Sequence, residues 1–319
     1  MISAVFSCRA DYSPLSPVIA ALEAEGVDVE KLDMSNGAIV DSAYTATRCL
    51  TSCMDWLGTR FKNSQPSLVL LLGDRYETLG AAHVATLFGA SIAHIHGGET
   101  TEGAFDNVFR NAISAMSDLH FVSAEAHGLK LFEMGADPEA IFVVGAPGLD
   151  NIVDLPDREF PDPYFLVTYH PETWGNTDAR ALAEALHGYQ DYGIVWTGVN
   201  SDPGGNEIRE VIGTVDGVVA VQTMDNKRYL SAMKYASACI GNSSSFLIEA
   251  PALCVPTVNI GRRQEGRLRG PSVIDCETTY QSIAWGIQRA LEYRGDYTNP
   301  YGEPGASKKI AQVLKEFDV

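Results

Sequence analysis

Two rhythms alternate along this chain. Short β-rich runs, AVFS, VDVEKL, SLVLLLG, SIAHIHG, LHFVS and IFVVG, are separated mostly by stretches whose apolar positions recur at helical spacing. That alternation predicts a parallel sheet with crossover helices. A Pro- and Asp-rich stretch, LPDREFPDP from Leu155 to Pro163, interrupts it and reads as an exposed linker. The pattern then restarts with YFLVTY, GIVWTG, GVVAV, SACIG and PTVNI, separated by helix-like segments such as TDARALAEALHGY and NKRYLSAMKYA. The expected fold class is therefore α/β, with two Rossmann-like domains over residues 1–155 and 156–319. SKKIAQVLKEF reads as a last amphipathic helix, over roughly residues 305–319, that packs on either half. In such sheets ligands sit beyond the carboxyl ends of the strands, and the motifs of chemical interest fall there.

Composition narrows the function. No apolar stretch approaches the roughly 18 residues a bilayer span needs, and the N-terminus has no basic region of the export type. The expected location is cytoplasmic, with no membrane partner. The six cysteines show no C-x-x-C pairing, so they read as reduced thiols. A formal net charge of −18 repels nucleic acid, so an anionic ligand must be caught by a local group of arginines. Arginine positions therefore become informative.

Five constellations stand out. SCRADYSP places Arg9 where the first strand ends and a helix begins, a setting that favours an anion; the plainer alternative is a surface arginine beside an N-capping Ser13 with Pro14 in the first turn. LVLLLGDRYE discharges a wholly apolar strand into Gly73, Asp74, Arg75 and Glu77, which reads as a site cluster or as a helix cap with an i,i+3 ion pair. SIAHIHGGETTEGAFDNVFRNAI puts His94 and His96 at period two, hence on one strand face, and Gly97 and Gly98 suggest close backbone approach to a ligand. Glu99, Asp106 and Arg110 follow. His-x-His with acidic neighbours suits zinc or manganese, but no third ligand stands at a recognisable spacing; paired carboxylates for acid–base work fit better.

The fourth, FLVTYHPETW, brings His170 and Glu172 to a strand end closed by Pro171, where a histidine contacts phosphate or moves a proton. The fifth, CIGNSSSFLIEAPALCVPTVNIGRRQEGRLRG, ends a buried strand at Gly241. Asn242, Ser243, Ser244 and Ser245 then open a helix able to receive a pyrophosphate, Glu249 stands one turn along it, and Arg262, Arg263, Arg267 and Arg269 cluster after the next strand. Neither a Walker loop nor a G-x-G-x-x-G after the first strand occurs, and no G-x-S-x-G elbow appears, which weakens kinase, nicotinamide and serine-hydrolase readings.

Together CRADYS, GDRYE, HIHGGE-TEGAFDN--R, LHFVS, HPET, GNSSS---EAP and NIGRRQEGRLRG-SVIDC resemble the UDP-N-acetylglucosamine 2-epimerase family, in particular its hydrolysing, UDP-releasing branch in sialic and legionaminic acid biosynthesis. The resemblance implies a GT-B fold with the ligand in a cleft between the domains, a UDP-sugar as partner, no cofactor, no metal, and a homodimer or homotetramer. By it Asp74, Glu99, Asp106 and His170 are expected as catalytic residues. Arg9, Ser13, Arg75, His96, Asn200, Asn242, Ser243, Ser244, Glu249 and Arg263 are expected around substrate and UDP, Glu249 on the ribose. The expected reaction turns UDP-N-acetylglucosamine and water into N-acetylmannosamine and UDP by anti elimination through a 2-acetamidoglucal. The same chemistry on a 2,4-diacetamido-6-deoxy UDP-sugar, a non-hydrolysing epimerase and a GT-B glycosyltransferase are the alternatives. The chain departs from the family at Pro14, where some members carry lysine, at Asn107, where a second acid commonly follows Asp106, and in a shorter span from Arg9 to Gly73.

Overall fold

The computed structural model describes residues 1–35, 42–102, 106–171, 179–198 and 205–317, without the side chains of Arg9 and Ala10. The chain forms two compact units, one built from Met1–Thr100, Phe105–Asp150 and Tyr301–Val319, the other essentially from Asn151–Pro300. Each unit contains one wholly parallel six-stranded sheet.

In the first unit the elements are β1 (Ile2–Phe6), α1 (Arg9–Ala24), β2 (Val29–Asp33), α2 (Ala43–Ser64), β3 (Leu68–Leu72), α3 (Tyr76–Phe88), β4 (Ser91–Ile95), α4 (Asp106–Ala115), β5 (Leu119–Val122), α5 (Glu125–Glu133) and β6 (Ile141–Val143). Strand order is β2-β1-β3-β4-β5-β6, so the winding reverses between β1 and β3. The sheet is buried on both faces because its central strand is apolar at every position. Leu68, Leu70 and Leu72 point into one core, with Leu15, Val18, Ile19 and Leu22 of α1. Val69 and Leu71 point into the other, with Leu57 and Phe61 of α2 and Ala81, Ala82 and Ala85 of α3. Each such leucine contributes roughly 1.5–3 kcal/mol of burial.

The second unit contains β7 (Tyr164–Thr168), α6 (Ala179–His187), β8 (Gly193–Thr197), α7 (Gly205–Ile212), β9 (Val218–Val221), α8 (Asn226–Lys234), β10 (Ala238–Gly241), α9 (Ser245–Ala252), β11 (Thr257–Ile260), β12 (Val273–Cys276) and α10 (Tyr280–Glu292). Its order is β12-β11-β10-β7-β8-β9, with the reversal between β7 and β10. Strand β12 was not among the runs picked out by apolar alternation: it is a half-exposed edge strand whose VIDC sequence carries an outward Asp275.

Helix α11 (Ala306–Glu316) belongs to the first unit, where Ala306, Ile310, Ala311 and Leu314 join the α1 core. Asp150 caps it, accepting from the backbone N–H of Gly305 and, at 2.7 Å, of Ser307. No described helix is long and apolar enough to cross a membrane.

Candidate active site

In the first unit, chemistry gathers where β1, β3 and β4 end. The buried guanidinium of Arg110 on α4 is the hub. It pairs with Asp74, donates to the His96 carbonyl at 2.9 Å and reaches Glu99 Oε2 at 3.4 Å. Glu99 is itself buried, and its Oε1 meets His96 Nδ1 at 2.6 Å and the Ser123 hydroxyl at 2.9 Å. Two carboxylates thus share one buried cation, which offsets the cost of keeping them charged away from water. Asp106 opens α4 one turn ahead of Arg110, half-buried.

His94 and His96 do not share a face. His94 is buried on β4, its Nε2 donating to the Gly73 carbonyl at 2.8 Å, and its Nδ1 meets Ser114 Oγ at 3.0 Å. A carbonyl only accepts, so Nε2 carries the proton, and burial pushes the ring down to about 3, leaving it neutral. His96 lies beyond the strand with φ of 65°, so the pleat no longer directs its side chain and it turns to Glu99. The glycine pair is explained by protein rather than ligand contact. A Cβ on Gly98, which has φ of +75°, would stand 2.2 Å from the His127 carbonyl oxygen, and one on Gly97 would stand 2.9 Å from Ser114 Oγ.

The GDRYE cluster divides. Asp74 goes to Arg110, while Arg75 forms a two-pronged pair with Glu77 at 3.0 and 3.1 Å, an i,i+2 contact in place of the i,i+3 pair expected of a cap. Helix α1 begins at Arg9 and not at Ser13: Ser13, Pro14 and Pro17 all lie inside it, held there by the buried stripe of Leu15, Val18 and Ile19. Arg9's side chain lies outside the described residues. Asp11 is an acid that sequence reasoning passed over: it accepts from the Ser7 hydroxyl at 2.6 Å, and burial raises its pKa.

The second unit's cluster sits where β7 and β10 diverge. Gly241 has φ of 144°, and a Cβ there would meet the Thr168 carbonyl oxygen at 2.0 Å, so only glycine lets the two strands end side by side. The Asn242 amide then grips His170 reciprocally, accepting from its N–H at 2.8 Å and donating to its carbonyl at 2.8 Å. Asn242 is fully buried with both amide groups committed, so it positions the turn instead of facing a ligand. Burial, reinforced by the positive Arg263, holds the His170 imidazole down at about 3. Arg263 Nη1 and Gln264 Nε2 both donate to the Asn242 carbonyl, at 3.1 and 2.8 Å. Gln264 carried no signal in the sequence.

Ser243 and Ser244 precede the first turn of α9, whose positive dipole end favours an anion, while the N–H groups of Phe246 and Leu247 already donate to the Ser243 and Ser244 carbonyls at 3.2 and 3.0 Å. A run of hydroxyls backs them: Ser243 to Ser245 at 2.9 Å, Ser245 to Tyr229 at 2.7 Å, Tyr229 to Thr168 at 3.3 Å, Thr168 to Thr197 at 2.9 Å. Glu249 has its Oε2 buried with no hydrogen-bond partner among the described residues, and burial raises its pKa to about 8 against the pull of Arg267. The arginine group splits. Arg262 pairs with Glu265 at 2.6 Å and Arg269 with Asp275 at 2.8 Å, while Arg263 turns to the β10–α9 corner. Glu172 and Asn200 lie outside the described residues. Among the described residues, no group of three His, Cys, Asp or Glu is arranged to hold a metal ion.

The family model for UDP-N-acetylglucosamine 2-epimerase matches residues 16–315. The polysialic acid biosynthesis protein P7 of Escherichia coli is 31% identical over 294 residues, spanning 84% of this chain and 74% of that protein. The UDP-N,N'-diacetylbacillosamine 2-epimerase (hydrolyzing) of Legionella pneumophila is 36% identical over 279 residues, spanning 80% and 72%. In fold, the chain resembles the UDP-GlcNAc 2-epimerase of Neisseria meningitidis bound to UDP-GlcNAc, with a TM-score of 0.84 at 17% identity and 99% of both chains covered. Its two doubly wound parallel sheets are thus of the GT-B-like kind. The chain belongs to the UDP-N-acetylglucosamine 2-epimerase family.

Proposed function

We propose that this protein is a hydrolysing 2-epimerase that converts UDP-N-acetylglucosamine and water into N-acetylmannosamine and UDP. The observation that carries the reading is the buried Glu99, held between His96 and Arg110 with Asp74 on the same guanidinium. A carboxylate so placed removes the C2 proton while the C1–O bond breaks and its electron pair leaves on UDP, giving a 2-acetamidoglucal. Water then delivers hydroxyl to C1 and a proton to the opposite face of C2. Positioned proton transfer of this kind is worth roughly 10²- to 10⁴-fold. In the second unit, Ser243, Ser244, Arg263 and the start of α9 offer hydrogen-bond donors to the leaving diphosphate, and Glu249 offers an acceptor to the ribose.

A specific observation favours a second substrate. Relatives 36% and 33% identical, from Legionella pneumophila and Campylobacter jejuni, carry names that specify N,N'-diacetylbacillosamine and hydrolysis. The same residues would act on a UDP-sugar bearing that second acetamido group. Proton NMR in D2O of the protein with each UDP-sugar tests both readings. Free UDP and an epimer deuterated at C2 are expected. Epimerised UDP-sugar without released UDP would overturn the hydrolytic reading, and turnover of the diacetamido sugar alone would reassign the substrate.

A further inference from the structure

The turn from β5 into α5 grips the Glu99 loop at three points. Ser123 donates to Glu99 Oε1 at 2.9 Å, Lys130 Nζ donates to the Glu99 carbonyl at 3.1 Å and meets Thr100 Oγ1 at 2.8 Å, and the His127 carbonyl leaves room only for glycine at position 98. His127 Nδ1 in turn stands 3.0 Å from Ser123 Oγ. All of Glu99, Ser123 and His127 are buried.

Proton counting orients this chain. A carboxylate oxygen accepts only, so the single Ser123 hydroxyl proton is committed to Glu99, and the contact with His127 then requires an Nδ1–H on the imidazole. We propose that Ser123 and His127 are positioning residues of the acid–base centre. The chain His127 Nδ1–H to Ser123 Oγ–H to Glu99 Oε1 fixes one carboxylate oxygen, while Arg110 Nη1 reaches the other, Oε2, at 3.4 Å. Oε1 already accepts from His96 at 2.6 Å, so Ser123 is its second donor and the carboxylate is held from both of its oxygens. A carboxylate so held keeps a single orientation through the reaction. The catalytic consequence rests on the acid–base reading of Glu99 given above; the direction of the hydrogen bonds does not.

Two measurements separate these. In ¹⁵N-histidine-labelled protein at neutral pH, with the His127→Asn variant assigning the resonances, His127 is expected to show a protonated Nδ1. A neutral ring protonated only at Nε2 would mean that Ser123 donates to His127, which overturns the proposal whatever the protein's activity. In steady-state kinetics with UDP-N-acetylglucosamine, Ser123→Ala is expected to lower kcat about ten- to a hundredfold, the fold-change of one hydrogen bond to a charged group, with KM nearly unchanged. Ser123→Thr restores the rate, His127→Asn keeps the Nδ1-side donor and stays near wild type, and His127→Leu follows Ser123→Ala. Unchanged kcat in Ser123→Ala with a melting transition like wild type would also overturn it. Wild-type protein that releases no UDP from any UDP-sugar would sink the functional reading instead, and the tautomer would still decide the relay.

Discussion

The two units solve the burial of polar groups in opposite ways. The first keeps its site charged: Asp74, Glu99 and Arg110 form a network in which each ion is compensated by another. The second keeps its site neutral: His170 is held unprotonated, Glu249 is pushed toward its protonated form, and amide and hydroxyl groups make most of the contacts. A charged, paired carboxylate suits a proton transfer that needs a base in place. A corner of amide and hydroxyl groups with an arginine beside it suits an arriving anion.

The largest effect expected to test this contrast is kinetic. Glu99→Gln should lower kcat for UDP release by about a hundred- to ten-thousandfold while UDP affinity, measured by titration calorimetry, changes little. Arg263→Met should do the reverse to binding, weakening UDP by about ten- to a hundredfold, since it removes a charge-assisted contact to phosphate. Equal losses of UDP affinity in the two variants would erase the distinction. In stability, Arg110→Met should destabilise the first unit by about 3–5 kcal/mol in urea melts, because two carboxylates lose their buried partner.

The pH response comes next, with a histidine part common to both units and a carboxyl part in the second. His94 and His170 are both held near 3, below the ordinary 6.5, so the unfolded chain binds more protons than the folded one between those values. Stability therefore falls as pH drops, by about 1 kcal/mol per histidine at pH 5.5. Glu249 runs the other way. Its pKa of about 8 stands above the ordinary 4.5, so stability is lost as pH rises between them, and Glu249→Gln should flatten that side of the melt profile. The smallest effect is structural: Asp150→Ala should cost about 1 kcal/mol through the lost cap of α11.

Strands were legible because buried parallel strands must be apolar, and the LVLLL run needed no tertiary information. Strand β12 escaped because an edge strand need not follow that rule. The position of Asp74, His170 and Ser243 just beyond strand ends was legible for the same topological reason. What could not be read was long-range pairing. Nothing local says that Asp74 meets Arg110, 36 positions away, or that Ser123 meets Glu99, 24 positions away. The His96 conformation was equally hidden, since the pleat rule holds only while the strand lasts, and β4 ends at Ile95. Asn242 was visible as a residue but not as the clamp on His170, because both of its partners are backbone groups.

Helix α11 has a consequence for synthesis. The first unit's core takes Ala306, Ile310, Ala311 and Leu314 from a segment that follows the whole of Asn151–Pro300. On the ribosome, Leu15, Val18 and Ile19 must therefore wait with part of their apolar surface uncovered, while the contiguous second unit emerges with its own core complete in sequence. The unit made first is finished last, which makes it the one that a nascent-chain chaperone would shield.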